Sequence, residues 1–143
     1  MRYLGLDLGS RTLGCALSDK SGIFARSYTI IRHNEEYDRL IKDVYGIVTL
    51  EKVEAIVLGY PKNMNNTLGE RVEKTLAFKE MLERRTNLPV VMWDERLTTN
   101  AAEQILIESG VRRENRKSVI DKIAAVLILQ GYLDLQAQGK AEE

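Results

Sequence analysis

The 143 residues hold one cysteine, Cys15, and one histidine, His33. A lone cysteine excludes an internal disulfide and a cysteine-built zinc cage, and a lone histidine excludes any chemistry that needs two imidazoles. Proline is almost absent, with two residues, and no Pro/Gly/Ser-rich stretch divides the chain. Charge of one sign is not in excess: 21 Lys plus Arg balance 21 Asp plus Glu, so any surface for a polyanion must be local. The longest unbroken apolar run, Ile123 to Leu129, falls far short of the roughly 18 residues of a membrane span. The first nine residues carry Asp7 inside their apolar stretch, unlike a signal peptide, and the expected compartment is a reducing cytoplasm. What is left for chemistry is carboxylate, hydroxyl and backbone.

The length suits one domain, expected over residues 1–137, with a polar tail at 138–143. Leu4, Leu6 and Leu8 alternate and predict a strand over Tyr3–Leu8. Short turns then lead to strands at Leu13–Ser18 and Ile23–Ile31, an antiparallel meander. Tyr37, Leu40, Ile41, Val44 and Val48 fall on one helical face. Ala55–Leu58 reads as a buried parallel strand, followed by a helix with Leu68, Val72, Leu76 and Leu82 among its core positions. Val90–Trp93 is the fifth strand. A helix capped by Thr98 or Thr99 runs to Ser109, with Gly110 as its stop. The last helix covers about Ser118–Gln136, with Ile120, Ile123, Leu127, Tyr132 and Leu133 in the core. The order β-β-β-α-β-α-β-α-α gives an α/β fold: a mixed five-stranded sheet, three strands antiparallel and two parallel, flanked by helices.

Three carboxylates stand where carboxylates are uncommon. Asp7 lies in the middle of a strand, sharing its face with Gly5 and Gly9, which leave room for an ion or a phosphate. Glu95 closes the fifth strand, and functional groups of parallel sheets gather at such carboxyl ends. Asp121 interrupts the most apolar helix, with Ala124 and Ala125 on its face. Each has an ordinary reading: a turn-bonding Asp, a solvated Asp-Glu-Arg turn, and a first-turn acid favoured by the helix dipole. Taken together, three acids from strand one, strand five and the last helix can meet at one sheet edge. Oxygen ligands without imidazole or thiolate suit Mg²⁺ or Mn²⁺, and such ions support phosphodiester hydrolysis without a histidine base.

Gly5-Leu6-Asp7-Leu8-Gly9, Gly14-Cys15-Ala16-Leu17-Ser18-Asp19, Gly59-Tyr60-Pro61, Asp94-Glu95-Arg96-Leu97-Thr98-Thr99 and Asp121-Lys122-Ile123-Ala124-Ala125 occur in that order. With these motifs the chain resembles the bacterial YqgF family from about Arg2 to Leu133. The resemblance implies a ribonuclease H-like fold and a metal-dependent nuclease, described as a pre-16S rRNA nuclease and also as a Holliday junction resolvase. It places the family's three catalytic acids, which are also its metal ligands, on Asp7, Glu95 and Asp121. Many members carry two adjacent basic residues where this chain has Ser10-Arg11-Thr12, so only Arg11 is basic there.

Val111–Lys122 has a local net charge of +3, from Arg112, Arg113, Arg116, Lys117 and Lys122 against Glu114 and Asp121. Glu35–Glu54, with six acids and three bases, has −3. The basic segment leads directly into Asp121 and is expected to bind phosphate, with a solvated loop as the alternative. Arg11, Lys62 and Arg96 fall on loops beside the acids and are candidates to hold the scissile strand. His33 is expected to face solvent in a turn, and Cys15 to pack as a small apolar side chain. The reading is therefore an endonuclease for structured RNA, with precursor 16S rRNA the substrate the resemblance implies, ribosomal or transcription components as further partners, and a monomer or homodimer as the working form. Three alternatives stand beside it: a resolvase of branched DNA, half of an actin-like ATPase, and a non-catalytic RNA-binding or transcription-associated factor.

Overall fold

The computed structural model describes residues 1–60 and 69–142, without the side chains of 96–102, 117, 118, 120–122 and 140–142. The strands are β1 (Tyr3–Leu8), β2 (Thr12–Ser18), β3 (Ala25–Arg32), β4 (Ala55–Tyr60) and β5 (Val90–Asp94). The helices are α1 (Tyr37–Glu51), α2 (Gly69–Thr86), α3 (Glu95–Glu108) and α4 (Arg113–Glu142). The five strands form one sheet in the order β3-β2-β1-β4-β5. The first three are an antiparallel meander, while β1–β4 and β4–β5 are parallel, as the sequence pattern predicts. The parallel pairing brings the carboxyl ends of β1, β4 and β5 to one edge, where the ends of Asp7, Gly59 and Glu95 meet.

The period-2 alternation of β1 divides the molecule into two cores. Leu4, Leu6 and Leu8 are buried on one face with Leu13, Cys15, Leu17, Ile56 and Leu58, and are covered by Leu40, Val44, Phe78 and Leu82 of α1 and α2. The other face carries the small residues of the same strands, and Ala125, Ile128, Leu129 and Leu133 of α4 pack against Ala16 and Val57. Gly5 is needed there: a Cβ at this position would lie 2.6 Å from Leu129 Cβ and 3.1 Å from the Ala125 carbonyl. The space beside Gly5 is thus filled by α4 and not kept for an ion.

Three elements differ from the sequence pattern. In α2 the buried stripe is Thr75, Phe78 and Leu82, and Leu76 is 45% exposed. The Phe78 ring meets Tyr37 edge-on at 5.4 Å and fixes the helix one residue out of the expected phase. Thr75 tolerates burial because its hydroxyl donates to the Arg71 carbonyl. In α4, Ile123 is 36% exposed, because the helix turns its small face, Ala125, to the sheet. Finally, α3 begins at Glu95 directly after β5, without a Thr98 or Thr99 cap. Gly110, at φ +80°, does end that segment. The polar stretch from 138 continues as helix to Glu142.

Candidate active site

The edge formed by β1, β4 and β5 holds two of the three acids in contact. Asp7 is half-buried, next to the carboxyl end of β1, on the α4 face. Glu95 is the first residue of α3, one position beyond β5. The Glu95 side chain reaches back across β4 and is hydrogen-bonded to Asp7. It can do so because β4 has Gly59 at the crossing. A Cβ on Gly59 would lie 2.7 Å from Glu95 Oε1, 3.1 Å from its Cγ and 2.6 Å from Ile128 Cδ1. Gly14 plays the matching part on the other side: it is the cross-strand partner of Asp7, and a Cβ there would stand 3.8 Å from Asp7 Cβ and 3.5 Å from Ala125 Cβ. Both glycines lie inside motifs already singled out by sequence, but their role as spacers for carboxylates needs the strand register.

The electrostatics follow from the burial. Loss of water, then the hydrogen bond to Asp7 and its charge, push the Glu95 carboxyl from an ordinary 4.5 up to about 8, while the Arg71 guanidinium pulls in the opposite direction. Glu95 therefore keeps its proton into the neutral range, where an ordinary glutamate has lost it. A divalent cation fits such a pair: its ligands are hard oxygens, and it supplies the positive charge that the Glu95 proton supplies otherwise. Among the described residues no group of three or more acidic, His or Cys side chains is assembled. Asp121 lies on α4 one helical turn before Ala125, the residue nearest Gly14, and its side chain is outside the described residues.

The remaining candidates divide. Arg11 is exposed in the β1–β2 turn, and its carbonyl accepts from the His33 amide at 2.9 Å. Arg112 and Arg113 are exposed at the start of α4, and Arg116, half-buried, donates from Nε to the Val111 carbonyl at 3.1 Å. Lys62 and the side chains of Arg96 and Lys117 lie outside the described residues. His33 corrects the sequence reading. Its Nδ1 accepts from the Glu35 amide at 3.0 Å, so Nε2 donates to the Gly9 carbonyl at 2.9 Å, tying β3 to the end of the Asp7 strand. Cys15 is buried as expected, and burial pushes its thiol up to about 12. Sequence reasoning missed Arg71: it resembles an ordinary first-turn surface charge, yet Nη2 donates to the Leu8 carbonyl at 2.8 Å, 63 residues away in sequence.

A mixed sheet of this order, with two hydrogen-bonded carboxyls at its parallel edge, is the framework of a ribonuclease H-like nuclease. Its fold resembles that of RuvC from Thermus thermophilus in complex with a Holliday junction substrate, with a TM-score of 0.62, 17% identity and 96% of each chain covered. It also resembles the fowlpox virus Holliday junction resolvase, with a TM-score of 0.53, 14% identity and 94% and 99% of the chains covered. Residues 1–135 match the RuvX family, described as Holliday junction resolvase. A protein of Agathobacter rectalis, called "Putative pre-16S rRNA nuclease", is 52% identical over 143 residues, 99% of this chain and 100% of its own. One of the same description from Bacillus subtilis strain 168 is 53% identical over 135 residues, 94% and 98% of the two chains. The chain belongs to the RuvX family, also known as YqgF, and is a nuclease. Among the described residues no helix is long and apolar enough to cross a membrane.

Proposed function

We propose that the chain is a divalent-metal-dependent endonuclease of structured RNA that acts in the cytoplasm on the precursor of 16S ribosomal RNA. The observation that carries this reading is the Asp7–Glu95 carboxyl pair, held across Gly59 at the carboxyl edge of the sheet. Asp7, Glu95 and Asp121 are the proposed ligands of Mg²⁺ or Mn²⁺. When bound, such an ion supplies positive charge to the phosphoryl group and lowers the pKa of water. The chain's own contribution is position. β1 and α3 hold the two carboxylates on either side of β4, and Asp121, on α4 one turn before Ala125, is the proposed third.

Arg112 immediately precedes α4, and Arg113, Arg116 and Lys117 fall among its first five residues with Glu114, at the end where the helix dipole disfavours cations. An anion docking there offsets that cost, and the backbone phosphates of RNA are the anion proposed. Arg11, Lys62 and Arg96 complete the proposed phosphate contacts. The choice of RNA rests on the description of relatives 52% and 53% identical to this chain. A second reading, cleavage of branched DNA by a homodimer, is favoured by the family description and by the RuvC-like fold.

The test is cleavage of labelled precursor 16S rRNA and of a four-way DNA junction by the same preparation, with Mn²⁺ or Mg²⁺ and with EDTA. The expected result is metal-dependent RNA cleavage with the junction left intact. Junction cleavage with the RNA untouched would replace the first reading by the second.

A further inference from the structure

Between the end of β1 and the first turns of α2 lies a cleft of about 40 Å³ lined by Leu8, Gly9, Ser10, Glu35, Arg71 and Lys74, among others. It has room for a water or two, or for the oxygens of a phosphoryl group, and none for a base. Two cations and one acid, Glu35, face it, and the two cations are not equivalent. Lys74 is neutralised by Glu35, to which it is hydrogen-bonded, and by Glu70 at 3.2 Å. Arg71 is half-buried and forms no ion pair among the described residues. Its one hydrogen bond there goes to a neutral acceptor, the Leu8 carbonyl, at 2.8 Å.

A guanidinium carries five N–H donors in a rigid fork. Anchoring one nitrogen on the strand that bears Asp7 leaves the rest of the fork for an anion. That strand also sets where the anion would lie, since Leu8 is the residue after Asp7. The guanidinium is close enough to Glu95 for its charge to act on that carboxyl. It is a fixed cation at the edge of an otherwise acidic centre, where a polyanionic substrate would meet repulsion.

We propose that Arg71 is a substrate-contacting residue, its guanidinium holding a non-bridging phosphate oxygen of the RNA backbone next to the bond being cut. This deepens the function proposed above and rests on the Asp7–Glu95 pair being the cleavage site. The Leu8 bond holds the fork at a constant distance from that pair, so the contact sets the register of the strand as well as its affinity.

The test compares wild type with Arg71→Gln, which removes the charge and the guanidinium fork but keeps a polar side chain. RNA binding is measured in EDTA as a function of salt, and single-turnover cleavage in Mg²⁺. Loss of one phosphate contact lowers the salt slope by about 0.7 to 0.9. Cleavage should fall about a hundredfold, the scale of one lost electrostatic element. A wild-type slope for a folded Arg71→Gln protein overturns the proposal. A measurement on the wild-type protein stands beside it in case the variant does not fold. Phenylglyoxal modification of Arg71, mapped by mass spectrometry, should be blocked by RNA in EDTA, and equal modification with and without RNA overturns the proposal. An Asp7→Asn control separates the two claims. If it cleaves normally while Arg71 still shows protection and the slope change, the cleavage site is wrong and the phosphate contact survives.

Discussion

Replacing Gly59 with alanine should separate activity from stability. The new Cβ would fall 2.6 Å from Ile128 Cδ1 and 2.7 Å from Glu95 Oε1, both closer than real contacts allow. Each clashing atom is the far end of a flexible side chain, so the backbone of β4 can stay and the side chains give way. Overpacking of this mild kind costs about 1 kcal/mol, which is a fall of about 3 to 5 °C in Tm for a chain this size. For Glu95, yielding means leaving Asp7, because its Cγ at 3.1 Å is pressed as well. Cleavage should therefore drop about a hundredfold or more, since displacement of about 1 Å at a catalytic group has that effect. Gly5→Ala is the contrasting variant. Its Cβ would meet Leu129 Cβ at 2.6 Å and the Ala125 carbonyl at 3.1 Å, atoms that move only with α4 itself. The cost there should be about 3 kcal/mol, read as a Tm lower by about 10 °C, with activity lost in proportion to folded protein. Thermal melts and single-turnover cleavage on both variants decide the matter. A Gly59→Ala protein with wild-type cleavage would refute the crossing of Glu95 over β4.

The stability of the metal-free protein should fall as pH rises from about 4.5 to about 8. The sign follows from Glu95: its carboxyl is pushed up on folding, so the folded chain binds the proton more tightly, and that contribution is complete below 4.5 and lost on passing 8. The gap corresponds to at most about 5 kcal/mol, and about half of that is expected because Glu95 is not wholly buried. Glu95→Gln should flatten the profile, and Mg²⁺ should restore wild-type stability at pH 8 without stabilising the variant. Replacing Arg112 and Arg113 with alanine should reduce the salt slope of RNA binding by up to about 2 while leaving the melt unchanged, since both are exposed. Asp121→Asn should fold, bind RNA in EDTA at least as well as wild type, and cleave about a hundredfold more slowly.

Asp7 was legible in the sequence because a carboxylate inside an alternating Leu4-Leu6-Leu8 strand contradicts its surroundings. The topology was legible for a related reason: short turns force an antiparallel meander, and continuous apolar runs mark parallel strands. Glu95 was found as the end of a strand, but its position at the start of α3 was hidden, because α3 follows β5 with no intervening turn residue to mark the boundary. The phase of α2 was hidden by two apolar stripes, and tertiary contact between Phe78 and Tyr37 chose the one that places a threonine inside. His33 and Arg71 carried no local signal at all. Each is bonded to a backbone carbonyl of β1 or the turn after it, Gly9 and Leu8, and carbonyls are the same at every residue. Such contacts are specified by the fold and leave no trace in residue type.

The carboxylates at the edge of β1 and β5 are proposed to carry out the hydrolysis. The direct measurement is single-turnover cleavage of labelled precursor 16S rRNA by wild type and Asp7→Asn at saturating Mg²⁺, with RNA binding followed in parallel. Asp7→Asn keeps the shape of the side chain and removes its charge, so folding and binding should be retained while the cleavage rate falls by at least about a hundredfold. Cleavage by a purified, folded Asp7→Asn protein at the wild-type rate would contradict the account and move the reaction away from this edge of the sheet.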